Sequence, residues 1–192
     1  TVYGNVTAAG IGVINFNKPI SVTGTSTIGG TSIGQITTGA VTLVDNITLT
    51  MGAGAATPIV MTTITGTAVG TSSNVTFNTT STVSVSGAIG TDIGTLTVTN
   101  SGGTTFSSTV NATTVTLTAT TGTVTFTGAL TAATLNTAAV AYNVAMNGGA
   151  TITDAVTFSN TGTLSLANNG TYAFTTGVTA TAPSSITVYG NV

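Results

Sequence analysis

Apolar and polar residues alternate along much of this chain with a period of two. Thr95-Leu96-Thr97-Val98-Thr99, Val115-Thr116-Leu117-Thr118 and Val124-Thr125-Phe126-Thr127 are the clearest runs. Alternation of β-branched and apolar residues marks a half-buried strand. Further runs lie at Ile11–Phe16, Ile20–Thr23, Gly39–Val44, Ile47–Met51, Ile59–Thr63, Val75–Phe77, Thr82–Val85, Thr151–Phe158, Thr163–Leu166, Tyr172–Thr175 and Ser185–Tyr189. Gly, Asn and Ser punctuate them, which predicts an all-β chain of short strands. Asn147-Gly148 and Asn169-Gly170 are turn dipeptides, because Asn and Gly tolerate positive φ. Gly29-Gly30 and Gly148-Gly149 also read as turns. No stretch shows the apolar period of an amphipathic helix. The nearest candidate, Ala132 to Ala141, carries Thr, Asn and Val and favours short strands and turns instead.

A longer recurrence overlies this alternation. Phe106, Val110, Ala112 and Val115 overlay Phe126, Leu130, Ala132 and Leu135 at one fixed offset. Phe16 followed by Ile20 echoes the first half, and Phe77 followed by Val83 matches more loosely. A period of about 20 residues fits one coil of a parallel β-solenoid, whose units bury their apolar faces only by stacking. The six named residues Phe106, Phe126, Val110, Leu130, Val115 and Leu135 are therefore expected to share one core. Met51–Thr67 does not align, so coil length varies there or a loop projects. Pro58 suits such a corner, since it cannot donate to a central ladder.

The longest-range feature is at the ends. Thr1-Val2-Tyr3-Gly4-Asn5-Val6 returns as Thr187-Val188-Tyr189-Gly190-Asn191-Val192. The period is the distance in sequence from Tyr3 to Tyr189. Residues 1–192 thus read as a single all-β repeat unit of a tandem array, with 187–192 restarting the motif of 1–6. Val2, Tyr3, Val6, Val188, Tyr189 and Val192 become the candidate unit-to-unit junction.

Val124-Thr125-Phe126-Thr127-Gly128-Ala129-Leu130, Ile14-Asn15-Phe16 and Gly4-Asn5-Val6-Thr7-Ala8-Ala9-Gly10 carry a family resemblance. The chain resembles the passenger domains of bacterial autotransporter adhesins and haemagglutinin-type surface proteins, including large rickettsial outer-membrane proteins. The resemblance implies a secreted right-handed β-helix that serves as an adhesin or fibrous coat at the bacterial cell surface. Charge is scarcer here than in those passengers and residues 1–192 include no translocating-barrel segment, so membrane anchoring and ligand identity are not part of what the resemblance implies.

Composition narrows the partners. Only 2% of residues are charged, against roughly 25% in ordinary soluble domains. Lys18 is the only cation and Asp45, Asp92 and Asp154 are the only acids. One cation cannot neutralise a run of phosphates, which argues against nucleic acid and anionic membrane surfaces as partners. No apolar run approaches the roughly 18 residues of a transmembrane helix. A near-neutral, Thr-rich surface promotes association, so self-assembly is the expected partnership, with a host-surface or glycan receptor as a further one.

Catalysis finds few tools. The chain has no His and no Cys, so Ser/His/Asp and Cys/His arrangements are unavailable. The three Asp residues are far apart in sequence, which argues against a carboxylate pair or a calcium site; Asp45-Asn46 and Thr153-Asp154 are expected to shape turns. Lys18, beside Pro19, reads as a solvated edge residue. Catalytic residues, cofactor and metal are all expected to be none. The leading expectation is a structural or adhesive extracellular fibre of tandem β-solenoid repeats. One rival is a β-sandwich pilin polymerised by donor-strand complementation. The other is an ice- or glycan-binding solenoid, which would need a strict one-per-coil Thr register, visible in the sequence over two coils only.

Overall fold

A computed structural model describes residues 1–67, 70–167 and 170–189. The chain is an all-β parallel solenoid, with no helix among the described residues. Every strand pairing is parallel and joins segments one coil apart. The donor-strand β-sandwich alternative is therefore overturned: a sandwich is antiparallel, and no antiparallel pair forms among the described residues. Val192 of the candidate junction and Asn169 of the second turn dipeptide lie outside the described residues.

Each coil visits three faces. The first face begins with Val6–Ala8, Ser26–Gly30, Thr48–Met51, Ser73–Asn78 and Ile93–Ser101. It continues through the C-terminal parts of Val110–Thr120 and Leu130–Thr137, then Val156–Thr157 and Val178–Thr179. The second face stacks nine strands, from Ile14–Phe16 to Ser185–Val188. The third face runs through Ile20–Val22, Val41–Leu43, Ile64–Gly66 and a single bridge at Ile89. It then takes in the N-terminal parts of Val110–Thr120 and Leu130–Thr137, and ends at Ala150–Ile152 and Tyr172–Phe174. The two long strands thus turn the corner from third to first face without losing their ladder.

Period-two alternation decides what points inward. Phe106 pairs with Phe126, Val110 with Leu130 and Val115 with Leu135, and all six are buried. The expected register is the observed one. The rings of Phe106 and Phe126 stack with centroids 5.1 Å apart. The same inward column runs down the second face through Met61, Val85, Phe106, Phe126, Met146 and Leu166. Phe16 and Ile20 fall in equivalent places, on the second and third faces. Phe77 does not: it pairs with Val98 on the first face and meets Phe106 across the core at 6.2 Å. Val85 holds the place assigned to Phe77 by the loose match, because a coil senses inward apolar volume and not aromaticity.

Coil length varies as expected around Met51–Thr67. The coil that carries Thr48 to its partner Asn74 is clearly longer than the one that carries Thr95 to Thr114. The additional residues sit at corners, with Pro58 just before the strand Ile59–Met61. Its carbonyl accepts from Ile36 N at 2.9 Å, so Pro58 still serves the neighbouring coil as an acceptor although it has no N–H to donate. Gly29-Gly30 is not a turn but the end of a strand. A Cβ on Gly29 would lie 2.7 Å from the carbonyl carbon of Gly52, and Gly30 holds φ +118°. Backbone from the next coil passes too close for any side chain.

Removing the Phe126 ring should destabilise the chain by about 3–5 kcal/mol, the usual cost of Phe→Ala in a packed core. Thr125→Ala, next in sequence but facing outward, should stay within about 0.5 kcal/mol. Urea unfolding followed by far-UV circular dichroism checks both; equal effects would place Phe126 outside the core.

Candidate functional surfaces

The corners carry the buried polar chemistry. Ser32, Thr57, Thr79, Ser101, Thr120 and Asn160 are buried where the first face turns into the second, at most one to a coil. Carbonyls at a corner turn away from the ladder, and burial without a partner would cost a lost hydrogen bond each. These side chains supply the partners. Thr79 Oγ1 lies 2.6 Å from Thr57 O and 2.9 Å from Ala55 O, and accepts from Ser81 N at 3.0 Å. Thr57 Oγ1 donates to Ser32 O, and Ser101 and Thr120 share a hydroxyl–hydroxyl bond. Asn160 Nδ2 donates to Tyr142 O at 3.1 Å. The result is an internal polar spine beside an apolar core. Nothing in the sequence marks it, because its residues are ordinary Ser and Thr, with one Asn, and have no distinctive spacing.

Tyr142 fills the core of the coil between Thr120 and Asn160. Its hydroxyl donates to Leu117 O at 3.3 Å. Burial pushes its pKa up to about 12, only partly offset by hydrogen bonds with the Ala138 backbone and Thr137. Burial also raises Tyr172, whose hydroxyl lies within hydrogen-bond reach of both Met146 O and Ala167 O.

The three acids share one edge, the corner from third to first face. Asp45 accepts from Thr67 Oγ1, and Asp154 accepts from Thr134 Oγ1 at 2.5 Å. Asp92 adopts φ +65° and its Oδ2 is buried without a partner among the described residues. Asn46, after Asp45, adopts φ +57°, as the turn expectation requires. A groove of about 510 Å³ follows this corner, lined by Asp92, Asn111, Thr113, Thr131 and Thr153. No group of three or more metal-ligating side chains forms among the described residues. Lys18 is solvent-exposed as expected, but it sits in the bend between second and third faces and not on a strand edge.

Outside the core, the first face carries a row of hydroxyls. Thr27, Thr50, Thr76, Thr97, Thr116, Asn136, Thr157 and Thr179 are paired one to the next through eight consecutive coils. Asn136 is the one member that is not Thr. The equivalent row on the second face is interrupted by Val60, Ser84, Ala145 and Ser165. A second row lies two positions before the first: Thr48 pairs with Asn74, and Thr95, Thr114 and Thr134 pair in turn. Asn74 Oδ1 bridges the gap by accepting from Thr95 N at 2.9 Å. None of the three acids belongs to the first row, nor does Lys18; Asp154 abuts the second, where it accepts from Thr134 Oγ1.

The candidate junction residues fall at opposite ends of the stack. Val2 is buried and bridges Val22 on the third face, while Tyr3 is 82% exposed. Val6 pairs with Ile28 on the first face. Val188 pairs with Leu166 on the second face, and Tyr189 N donates to Leu166 O at 2.8 Å. The two Val-Tyr copies therefore hold different places in the coil. The column that begins at Val2 reaches Phe174 eight coils later. Val188 follows Phe174 too soon for a further whole coil to lie between them.

No protein-family model, no curated protein and no solved structure matches this chain. Its surfaces must be read from their own chemistry.

Replacing Thr79 with Val should cost about 1–3 kcal/mol, because Ser81 N loses its acceptor and the buried Thr57 carbonyl loses its donor. Thr105→Val on the exposed second face should be close to neutral in the same urea titration. Alkali should also unfold the protein. The unfolded chain releases the Tyr142 proton near the ordinary value of 10.0, and the folded chain holds it to about 12. Stability is then whole below the unfolded value and falls as pH rises through that window. Tyr142→Phe should flatten this fall, leaving the smaller part due to Tyr172; an unchanged alkaline limb would count against a buried Tyr142.

Proposed function

We propose that this chain is a structural and adhesive segment of an extracellular fibre or surface coat at a bacterial cell surface. The observation that carries this reading is the uninterrupted parallel stacking of nine coils along one axis. Each coil adds about 4.8 Å of length. The rest of the molecule serves that extension. The core is continuous from Val2 to Tyr172, and the exterior is hydroxyl-rich and nearly uncharged. The resemblance to autotransporter and haemagglutinin-type passengers points the same way.

Self-association is the partnership that the surface favours. Large exposed apolar side chains concentrate in the outermost coils: Tyr3, Ile11, Val13 and Ile33 at one end, Val178, Ile186, Val188 and Tyr189 at the other. Each outermost coil also presents one unpaired strand edge, a template for further parallel pairing. A second stack placed end to end covers both. A host-surface or glycan receptor would engage the lateral faces, which remain free in such a fibre.

Analytical ultracentrifugation and negative-stain electron microscopy over a concentration series test the reading. The expected result is elongation along one axis with rising concentration, abolished when Val188 and Ile186 are both changed to Lys. A compact 18.5 kDa monomer at every concentration would overturn it.

A further inference from the structure

We propose that the first face is an ice-binding surface, on which the paired Thr rows hold water in a lattice. This inference rests on the solenoid geometry and not on fibre assembly. Adjacent coils place equivalent hydroxyls about 4.7–4.9 Å apart, and positions two apart along a strand are separated by about 6.6 Å. The row from Thr27 to Thr179 keeps the first repeat through eight coils. Thr48-x-Thr50, Asn74-x-Thr76, Thr95-x-Thr97 and Thr114-x-Thr116 keep the second. Ice presents oxygen atoms in planar arrays with two repeats, and a two-repeat array of ordered hydroxyls is a template for such a plane.

Side-chain chemistry favours the same occupant. A Thr in a ladder is restricted at χ1 by its branched Cβ, so its hydroxyl is ordered before any ligand arrives. Each hydroxyl donates once and accepts twice, so it can bond an ordered water in either sense, and each methyl excludes mobile water between the rows. The row from Thr27 to Thr179 holds no ionic group, which would bind a disordered hydration shell instead. Neither row holds an aromatic side chain, the usual platform for a sugar ring. The second face lacks the uniformity: Val60 and Ala145 interrupt its outward row.

Two readouts test the proposal on the full chain: ice recrystallisation inhibition, and capture of the labelled protein into a growing ice hemisphere. The paired variant Thr76→Lys with Thr97→Lys should lose both activities. The matched pair Thr105→Lys with Thr125→Lys on the second face should keep them. Circular dichroism and urea midpoints establish that each variant is folded, and Thr97→Val gives a milder probe if the Lys pair unfolds. A folded wild-type chain without either activity would overturn the proposal, as would equal loss from both faces. Retention on microcrystalline cellulose or chitin without ice capture would overturn it too, in favour of a glycan surface. Filament formation in the ultracentrifuge is read separately, so either proposal can fail alone.

Discussion

The structure depends on one constraint: no coil can satisfy its own backbone. A strand here has no partner within its own coil, so its N–H and C=O groups bond only to the coils before and after it. The apolar side of a coil is equally incomplete, since three short strands enclose too little volume to exclude water. Both deficits are removed by the same act, stacking in register. Stability is then a sum of coil and interface terms rather than a property of one closed core. That is why inward columns, and not individual residues, are the units of the fold. Met61, Val85, Phe106, Phe126 and Met146 share little chemistry, yet they follow one another down one column.

Stacking solves the faces but not the corners. At the turn from first to second face the chain leaves the ladder while still buried. The spine from Ser32 to Asn160 answers this with short side chains that reach carbonyls of neighbouring residues and neighbouring coils. A hydroxyl is small enough to sit among Val and Leu without opening a cavity, and its single donor suits a single orphan acceptor. The interior thus uses Ser and Thr for satisfaction, while the exterior uses Thr for ladder pairing. One residue type does both jobs because its methyl packs and its hydroxyl bonds.

This dual use sets the limits of what the sequence discloses. The Phe106–Val115 and Phe126–Leu135 overlay is legible because two successive coils have equal length and equal inward volumes, so register appears as a fixed offset. Ser26–Gly30 is not legible as a strand: its glycines signal a turn, and only the approach of Gly52 from the next coil explains them. Phe77 misleads because aromatic identity does not fix a place in the coil. The internal Thr79 and the external Thr76 look alike in sequence and differ only in the parity of their place along the backbone. The eight-coil Thr row is visible over two coils for the same reason. Corners of unequal length make the step from Thr48 to Asn74 longer than the step from Thr95 to Thr114. They hide from the sequence a register that is strict in space.

The repeated terminal hexapeptide obeys the same logic. A duplicated sequence lands on the same face only if the coils between its copies add up to its period. Here they do not: Val2 stands on the third face and Val188 on the second. Sequence period and coil period are therefore separate quantities in this chain. A joint between one stack and another would have to be generic, built from parallel edges that accept a range of partners and apolar rims that need covering. Val-Tyr-Gly suits either position, since a β-branched residue followed by an aromatic pairs on any pleated edge. Such a segment can recur without fixing the phase of the coil, just as Thr recurs inside and outside the same wall.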